Sequence, residues 1–221
     1  MEDRDVTLKI DGAQPITAEL VARVADVCDL AESTEGSRVV VRLTGAPVGS
    51  VYEGLTIGLV NKWERALRRL ERLPATVVAV ADGDCGGTAL DALLATDYRV
   101  VTASARLVVP VDGGATWPGM ALFRLAQQGA NTAGVRRAVL FGQPIDAPAA
   151  LALRLVDEVT DDVEGALAGV AGLAEGVPGA ELAIRRQLMF DASAVTFEEA
   201  LGVHLAACDR VLRREPAGAA S

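Results

Sequence analysis

The segment from Thr76 to Arg99, TVVAVADGDCGGTALDALLATDYR, decides the fold. Thr76–Ala81 is β-branched or small and apolar, which predicts a strand that is covered on both faces. Glycines follow at Gly83, Gly86 and Gly87. They predict a turn, because glycine adopts backbone angles that are closed to other residues. The leucines that come next recur at the spacing of one helix face, so the segment predicts a buried strand, a glycine turn, a short helix and the entry to another strand.

The start of this short helix has the features of an anion site. A strand that enters a helix through glycines leaves backbone N–H groups unpaired at the helix start. Those N–H groups and the helix dipole stabilise negative charge. Asp91 lies one turn inside the helix, three residues after Thr88. The same spacing also fits a capping box, in which the acid only closes the helix end, and residue chemistry leaves both interpretations open.

The composition limits the class of protein. With 221 residues, 51% of them hydrophobic, the chain has room for one unusually large domain or for one domain plus a small helical appendage. The net charge of −9 argues against nucleic acid as a partner. No apolar run approaches the ~18 residues of a membrane span, and the acidic start MEDRDV lacks the apolar core of a signal peptide. We therefore expect a cytoplasmic protein with no membrane contact.

The cysteines are far apart and odd in number: Cys28, Cys85 and Cys208. This pattern predicts reduced thiols and no metal site.

The order of elements predicts the architecture. Strand–helix alternation over residues 1–160 indicates an α/β core with a largely parallel sheet and right-handed crossovers. Residues 161–215 are helical in pattern, so we expect them to pack on this core or on another subunit, and residues 216–221 are expected to be a disordered tail. The predicted strands are 6–10, 38–43, 76–81, 98–102, 107–109 and 156–159, and the other predicted helices are 17–35, 55–73, 119–128, 133–141, 147–153, 164–174, 178–190 and 196–214.

Other candidate groups have weaker support. The chain lacks the glycine-rich dinucleotide motif, the P-loop, and the motifs HExxH and GxSxG. His204 is the single histidine; its mostly apolar helix predicts a core or interface residue, and a Ser-His-Asp triad would have to use it. The basic helix face between Lys62 and Arg72 suits either a phosphate or solvent. Trp117 and Pro118 suit either a pocket wall or a loop anchor.

Several short pieces of the sequence match one family pattern in order and spacing. They are GDCGGTALD at 83–91, DYR at 97–99, ARLVVP at 105–110, WPG at 117–119, and the stretch 134–159 that closes with LVDEV. Together they resemble the crotonase (enoyl-CoA hydratase/isomerase) superfamily over most of the chain. The resemblance implies a repeated ββα spiral whose helical C-terminal region, 161–215, drives assembly into a homotrimer or homohexamer.

The resemblance also implies a site. The substrate would be a coenzyme A thioester, with no tightly bound cofactor and no metal. Two backbone N–H groups would bind the thioester oxygen as it becomes an enolate. One is the N–H of Thr88, with Gly87 beside it, and Asp91 falls on the position of the family's first catalytic acid. The other N–H falls in the loop after the second strand. The predicted substrate-binding residues are Val48, Gly49, Ser50, Trp117 and Pro118.

The sequence departs from the family at the second acid. That acid should follow Pro110, but the position holds Val111. A hydratase handles water between two carboxylates, so one missing acid removes half of the machinery. Asp91 is also shorter, by a methylene group, than the family's glutamate. We therefore expect a reaction on an acyl-CoA that needs one acid: proton transfer, isomerisation or dehydration beside a stabilised enolate.

Within the family, the segment GDCGGTALDALLATDYR and the short chain are most similar to the small crotonase-like proteins of 3,5-dihydroxyphenylglycine biosynthesis. This resemblance implies a polyketide-CoA substrate on its way to 3,5-dihydroxyphenylacetyl-CoA. It also implies a polyketide synthase and a second crotonase-like protein as partners. Two alternatives stay open: a non-catalytic crotonase-fold accessory that binds and stimulates a type III polyketide synthase, and an acyl-CoA thioesterase that uses His204.

Overall fold

The computed structural model describes residues 5–49, 54–112, 115–116, 119–128, 132–192 and 195–214. Its strands are β1 (Asp5–Asp11), β2 (Arg38–Gly45), β3 (Thr76–Gly86), β4 (Tyr98–Val101), β5 (Arg106–Val108), β6 (Val111–Asp112), β7 (Ala115–Thr116), β8 (Ile145–Asp146) and β9 (Glu158–Val159). Its helices are α1 (Ala18–Ser33), α2 (Ile57–Leu70), α3 (Gly87–Leu93), α4 (Met120–Gln128), α5 (Ala133–Phe141), α6 (Ala147–Ala152), α7 (Val163–Ala174), α8 (Gly179–Asp191) and α9 (Phe197–Arg214). The predicted tail, 216–221, lies outside the described residues.

The main sheet is parallel, as the alternation of elements predicts. Its strands are hydrogen-bonded in the order β1-β2-β3-β4-β9, and each of these pairs is parallel. Leu8 lies opposite Val41, and Val41 lies opposite Ala79. Helices α1, α2 and α3 each connect one strand to its neighbour in the sheet. The predicted α/β class with a helical C-terminal region is confirmed.

The two faces of the central strands fill separate cores. One core joins the first face to the buried sides of α1, α2 and α3, and its strand residues include Val39, Val41, Val77 and Ala79. The other core lies under α7 and consists of Val40, Val78, Val80, Val100, Ala166, Leu167 and Val170. Because Val77 and Val78 point to opposite faces and both are buried, β3 is covered on both sides as predicted.

Capping side chains determine where the first two helices begin. Thr17 accepts a hydrogen bond from the backbone N–H of Leu20 at 3.1 Å, and Thr56 accepts one from Leu59 at 3.2 Å. These bonds satisfy N–H groups that have no partner inside the helix. The buried residues of α2 are Trp63, Leu67 and Leu70. Their spacing of three and four residues turns one face of α2 toward the core.

The predicted glycine turn is wrong, because the strand continues through it. β3 runs to Gly86. Beyond Gly83, whose φ is +66°, β3 leaves β4 and pairs with β5, so that Cys85 lies opposite Leu107. Glycine takes a positive φ without a side-chain clash, so the strand bends at Gly83 without ending. The helix α3 therefore begins at Gly87, directly at the end of a buried strand.

The C-terminal helices attach to the core through α8. The buried side chain of Arg186 donates to both carboxylate oxygens of Asp97, at 2.6 and 2.7 Å. It also donates to the carbonyl oxygens of Leu73 and Ala75, at 2.7 and 3.1 Å. One guanidinium thus joins α8 to the segment before β3 and to the segment before β4.

The last helix, α9, begins at the predicted capping box. The N–H of Thr196 donates to Glu199 Oε2 at 2.9 Å, and the N–H of Glu199 donates to Thr196 Oγ1 at 3.3 Å. Phe197, Leu201 and Leu205 recur along one face of α9 and are exposed. The oligomerisation role of 161–215 stays a prediction.

Among the described residues, no single helix has the length and apolar character to cross a bilayer. Helices α7 and α8 taken together have the length and composition of a span, but a bend of 91° separates them.

Gly12 lies where the loop between β1 and α1 touches the end of β3. A β-carbon there would lie 2.1 Å from the carbonyl oxygen of Gly86 and 2.5 Å from that of Gly45. We expect Gly12→Ala to lower the free energy of unfolding by about 3 kcal/mol, measured by urea denaturation, because backbone atoms cannot move aside locally. Gly58→Ala in α2 is the matched control. The nearest atom to its added β-carbon lies at 3.9 Å, so helix propensity predicts a gain of about 0.5–1 kcal/mol. Equal stability of the two variants would refute this packing.

Candidate active site

The candidate acid, Asp91, is buried in α3. The residue is 4% exposed, and its Oδ2 accepts a hydrogen bond from the indole N–H of Trp63 on α2 at 3.0 Å. No described residue donates a hydrogen bond to Oδ1. Burying a carboxyl group costs free energy when one of its oxygens accepts no hydrogen bond, and such carboxyl groups cluster at functional sites. Asp91 is therefore the strongest candidate for acid–base chemistry.

The capping-box interpretation of Asp91 is wrong. The N-cap of α3 is Gly86, and no described side chain caps this helix. Thr88 already lies inside the helix, and its hydroxyl group donates to the carbonyl oxygen of Asp11 at 3.4 Å. The first backbone N–H groups of α3 have no partner inside the helix. The start of α3 can therefore accommodate a negatively charged oxygen.

Burial shifts the acidity of Asp91 into the neutral range. Loss of solvation is the main reason that its pKa rises from 3.8 to about 7, and the charge of Glu64 adds to the rise. The Trp63 hydrogen bond and the charge of Arg124 act in the opposite direction. A carboxyl group with a pKa of about 7 can both accept and release a proton at neutral pH.

Asp91, Thr88 and Gly87 line one cavity. Its volume is about 30 Å³, which is room for a water-sized group. The other lining residues are Gln14, Pro15, Ile16, Pro47, Leu55 and Pro110. Mostly apolar walls with a few polar groups are typical of small-molecule sites. The structure thus brings together the three residues that were predicted as catalytic.

Gly87 is required because two other segments approach it closely. Its φ is +51°, and a β-carbon there would lie 2.8 Å from the carbonyl oxygen of Gly12 and 2.8 Å from Pro47 Cγ. A side chain at Gly87 would push apart the loop before α1 and the segment after β2. Because both segments lie against the cavity, glycine keeps the start of α3 accessible from it.

None of the predicted substrate-binding residues that the structure describes lines the cavity. Val48 is 99% exposed, and neither Val48 nor Gly49 lines the cavity. Pro47 and Leu55, on either side of this loop, do line it. Ser50, Trp117 and Pro118 lie outside the described residues. The second N–H donor therefore stays a prediction.

Trp63 is a site residue that sequence reasoning missed. Helix periodicity predicts that it points inward from α2, and its exposure of 0% confirms this. The pattern of α2 does not show which group accepts the indole N–H, because Asp91 belongs to another helix. The available signal was that a buried indole N–H needs an acceptor, and a predicted acid on a neighbouring helix could supply one.

The remaining candidates lie apart from this cavity. His204 is exposed on α9 and does not line the cavity. The expectation of a core histidine is therefore wrong, and an interface role stays a prediction.

The basic face of α2 also lies apart from the cavity, and on it Arg69 pairs with Asp29 at 2.5 Å and with Glu32 at 2.7 Å. Within the part of the chain that the structure describes, no group of three or more His, Cys, Asp or Glu side chains could hold a metal ion.

A larger groove opens beside the cavity. It has a volume of about 590 Å³ and shares Gln14 and Pro15 with the cavity. Its charged lining residues are Lys9, Asp11, Arg23 and Arg42. Arg42 also pairs with Glu164 at 3.2 Å. Because the protein is acidic overall, this concentration of positive charge makes the groove suitable for an anionic group.

Comparison with known proteins identifies the family. No family model matches the sequence. The chain is 54% identical over 212 residues to a protein of Amycolatopsis orientalis named enoyl-CoA hydratase, and the match covers 96% of this chain and 97% of that protein. The chain belongs to the crotonase (enoyl-CoA hydratase/isomerase) superfamily. The resemblance that the motifs indicate is confirmed at the level of the family.

Solved structures share the fold of this crotonase. An enoyl-CoA hydratase from Shewanella pealeana matches with a TM-score of 0.79 and 15% identity, over 94% of this chain and 84% of that chain. An enoyl-CoA hydratase/isomerase family protein from Silicibacter pomeroyi matches with a TM-score of 0.80 and 16% identity, over 96% of this chain and 97% of that chain. These likenesses confirm the crotonase-like fold class.

This crotonase lacks a carboxyl group at the position predicted for the second acid. Val111 occupies that position, on β6, and is 44% exposed. Among the described residues that line the cavity, Asp91 is the only acidic one. The described part of the site thus offers one proton carrier and one set of backbone donors.

Proposed function

We propose that this crotonase is an acyl-CoA dehydratase/isomerase that acts on a polyketide-CoA on its way to 3,5-dihydroxyphenylacetyl-CoA. One observation carries the proposal: a buried carboxyl group with a pKa of about 7 shares a cavity with the uncapped N-terminus of α3. The carboxyl group can move a proton, and the helix start can stabilise an enolate oxygen. The enoyl-CoA hydratase name of the Amycolatopsis orientalis relative supports a coenzyme A thioester as the substrate.

The proposed reaction uses one carboxyl group twice. The thioester oxygen accepts a hydrogen bond from the backbone N–H of Thr88, and Asp91 removes a proton from the α-carbon. The electron pair of the C–H bond forms an enolate, whose charge the helix start stabilises. Asp91 then gives the proton to the β-hydroxyl group, the C–O bond breaks, and water leaves as the double bond forms. The protons balance without a second acid.

A polyketide substrate suits a site with one acid. Hydrogen atoms between two carbonyl groups are acidic, so one weak base is sufficient to remove a proton. Loss of water from a cyclised polyketide leads to an aromatic ring, which makes the elimination favourable. The resemblance of GDCGGTALDALLATDYR to the small crotonase-like proteins of 3,5-dihydroxyphenylglycine biosynthesis supports this substrate class. A type III polyketide synthase would supply the substrate, and a second crotonase-like protein would act in the same pathway.

We assign the phosphate groups of coenzyme A to the groove that Arg23 lines. Arg23 is exposed, so Arg23→Gln removes a positive charge without disturbing the core. We expect the KM for an acyl-CoA to rise about tenfold with kcat unchanged, since an arginine–phosphate contact is worth roughly 1.4 kcal/mol or more. The same acyl group on N-acetylcysteamine, which has no phosphate, should keep its KM. Arg65→Gln, an exposed change outside the groove, is the control; an equal rise with both thioesters would count against this assignment.

The second candidate function is a non-catalytic accessory that binds and stimulates the type III polyketide synthase. Val111 favours it, because a hydratase that has lost one acid can keep its fold for binding alone. The exposed apolar face of α9, with Phe197, Leu201 and Leu205, could contact the synthase, or it could join subunits of the homotrimer or homohexamer that the family resemblance implies. A thioesterase that uses His204 has no support in the geometry, since His204 does not line the cavity.

A reconstituted synthase reaction tests the proposal. The synthase and malonyl-CoA are incubated alone, with the wild-type chain, and with Asp91→Asn, and 3,5-dihydroxyphenylacetyl-CoA is measured by mass spectrometry. We expect the wild-type chain to raise the yield and Asp91→Asn to leave it at the level of the synthase alone. Equal stimulation by both chains, together with a stable complex on size-exclusion chromatography, would establish the accessory function instead.

A further inference from the structure

The structure assigns Trp63 a positioning role in the proton transfer: its indole N–H holds Oδ2 of Asp91 and leaves Oδ1 as the oxygen that reacts with substrate. This inference rests on the proposed function. The Nε1–Oδ2 distance is 3.0 Å, and Trp63 and Asp91 are 0% and 4% exposed. Because neither group has alternative partners in bulk water, the bond fixes the carboxyl group relative to the cavity.

Buried ion pairs hold α2 on the side next to the face that carries Trp63. Arg124 of α4 donates to Glu71 Oε1 at 2.7 Å and to Glu64 Oε2 at 3.2 Å. The side chains of Arg124 and Glu71 are both 7% exposed. Glu64 and Glu71 are seven residues apart, so they lie on the same side of α2, and one guanidinium joins this side to α4. Such buried pairs add little net stability, but they restrict how the helix can rotate.

The charges around Asp91 define what the indole N–H contributes. Glu64 on α2 disfavours the Asp91 anion, and Arg124 on α4 favours it. Cys85 on β3 stays a neutral thiol, because burial and the charge of Asp91 both raise its pKa. The indole N–H is therefore the direct hydrogen-bond partner that favours the anion. Its loss should both free the carboxyl group to rotate and make it harder to ionise.

Trp63→Phe removes the donor and keeps an aromatic ring. The readout is the rate at which α-hydrogens of phenylacetyl-CoA exchange with deuterium from D2O, followed by NMR as a function of pH. In the wild-type protein we expect this rate to rise with pH through a midpoint of about 7. In Trp63→Phe we expect the midpoint to move up by about one pH unit and the plateau rate to fall about tenfold through loss of orientation, with KM unchanged. Leu67→Val, at another buried position of α2, is the control for lost packing and should leave the midpoint in place.

A second variant provides the same test if Trp63→Phe folds poorly. Benzothienylalanine at position 63 keeps the shape of the tryptophan ring and replaces its N–H group with sulfur, so it should show the same shift. An unchanged midpoint in the folded variants, or an equal shift in Leu67→Val, would overturn the inference. Asp91→Asn separates the two proposals. If this variant exchanges α-hydrogens like the wild type, the proposed function fails. If Asp91→Asn is inactive and the Trp63 variants behave like the wild type, only the role of Trp63 is overturned.

Discussion

Replacing Asp91 with asparagine is expected to lower the rate of product formation by about 10²–10⁴-fold, the usual contribution of a positioned acid or base. Asparagine has the same shape and can accept the indole N–H of Trp63, but it cannot take up a proton at neutral pH. The backbone N–H groups at the start of α3 are untouched, so KM should change little and the loss should appear in kcat. Initial rates of the reconstituted synthase reaction measure both constants.

Asp84→Asn is the matched control for this experiment. Asp84 belongs to the same strand that leads into α3, but its side chain is 39% exposed and pairs with Arg106 at 2.7 Å. An exposed pair of this kind contributes little to stability, and Asp84 does not line the cavity. We expect wild-type rates from Asp84→Asn. A similar loss in both variants would mean that removing any carboxylate near α3 disturbs the site, and that Asp91 has no special role.

The same Asp91→Asn substitution is expected to stabilise the protein at high pH. The Asp91 carboxyl group stays protonated up to a pH of about 7 in the folded chain, against about 3.8 when its environment is lost. Folding therefore takes up a proton between these values, so the contribution of this group to stability is fully present below pH 3.8 and is lost as the pH rises through about 7. A shift of this size corresponds to a penalty on the order of 4 kcal/mol above pH 7, which asparagine does not suffer.

Thermal unfolding at two pH values measures this effect. The gain in free energy of unfolding from Asp91→Asn should be larger at pH 8 than at pH 5.5 by about 2 kcal/mol. Asp84→Asn should show no such difference. If the gain were the same at both pH values, Asp91 would titrate normally, and its carboxyl group would not hold a proton to release at neutral pH. One variant would thus lose activity and gain stability, which a purely structural role of Asp91 does not predict.

The fold was largely predictable because its deciding signals are local. The apolar run Thr76–Ala81 predicts a strand that is covered on both faces, and caps such as Thr17 and the Thr196–Glu199 box mark where helices begin. The glycine turn was predicted wrongly for a non-local reason. Whether a strand ends or bends at Gly83 depends on whether another strand is available to pair with it, and β5 is contributed by a later part of the chain.

The candidate site divides in the same way. Gly87, Thr88 and Asp91 were predictable as a group, because one strand–helix segment carries all three. Trp63 comes from α2, and Pro47 and Leu55 come from the segment between β2 and α2. Their places depend on how α2 packs against α3 and α4, which no pattern within a single element reveals. The raised pKa of Asp91 follows from that packing, since burial is its main cause.

The central claim is that Asp91 moves the α-proton of a coenzyme A thioester. Proton NMR of phenylacetyl-CoA in D2O at about pH 8 tests it without the pathway substrate, with binding of the thioester to each variant checked by calorimetry. We predict that the α-methylene signal disappears with the wild-type protein and persists with Asp91→Asn, although both bind the thioester. Equal loss of the signal with the two proteins, or no loss with a wild-type protein that binds the thioester, would contradict the claim.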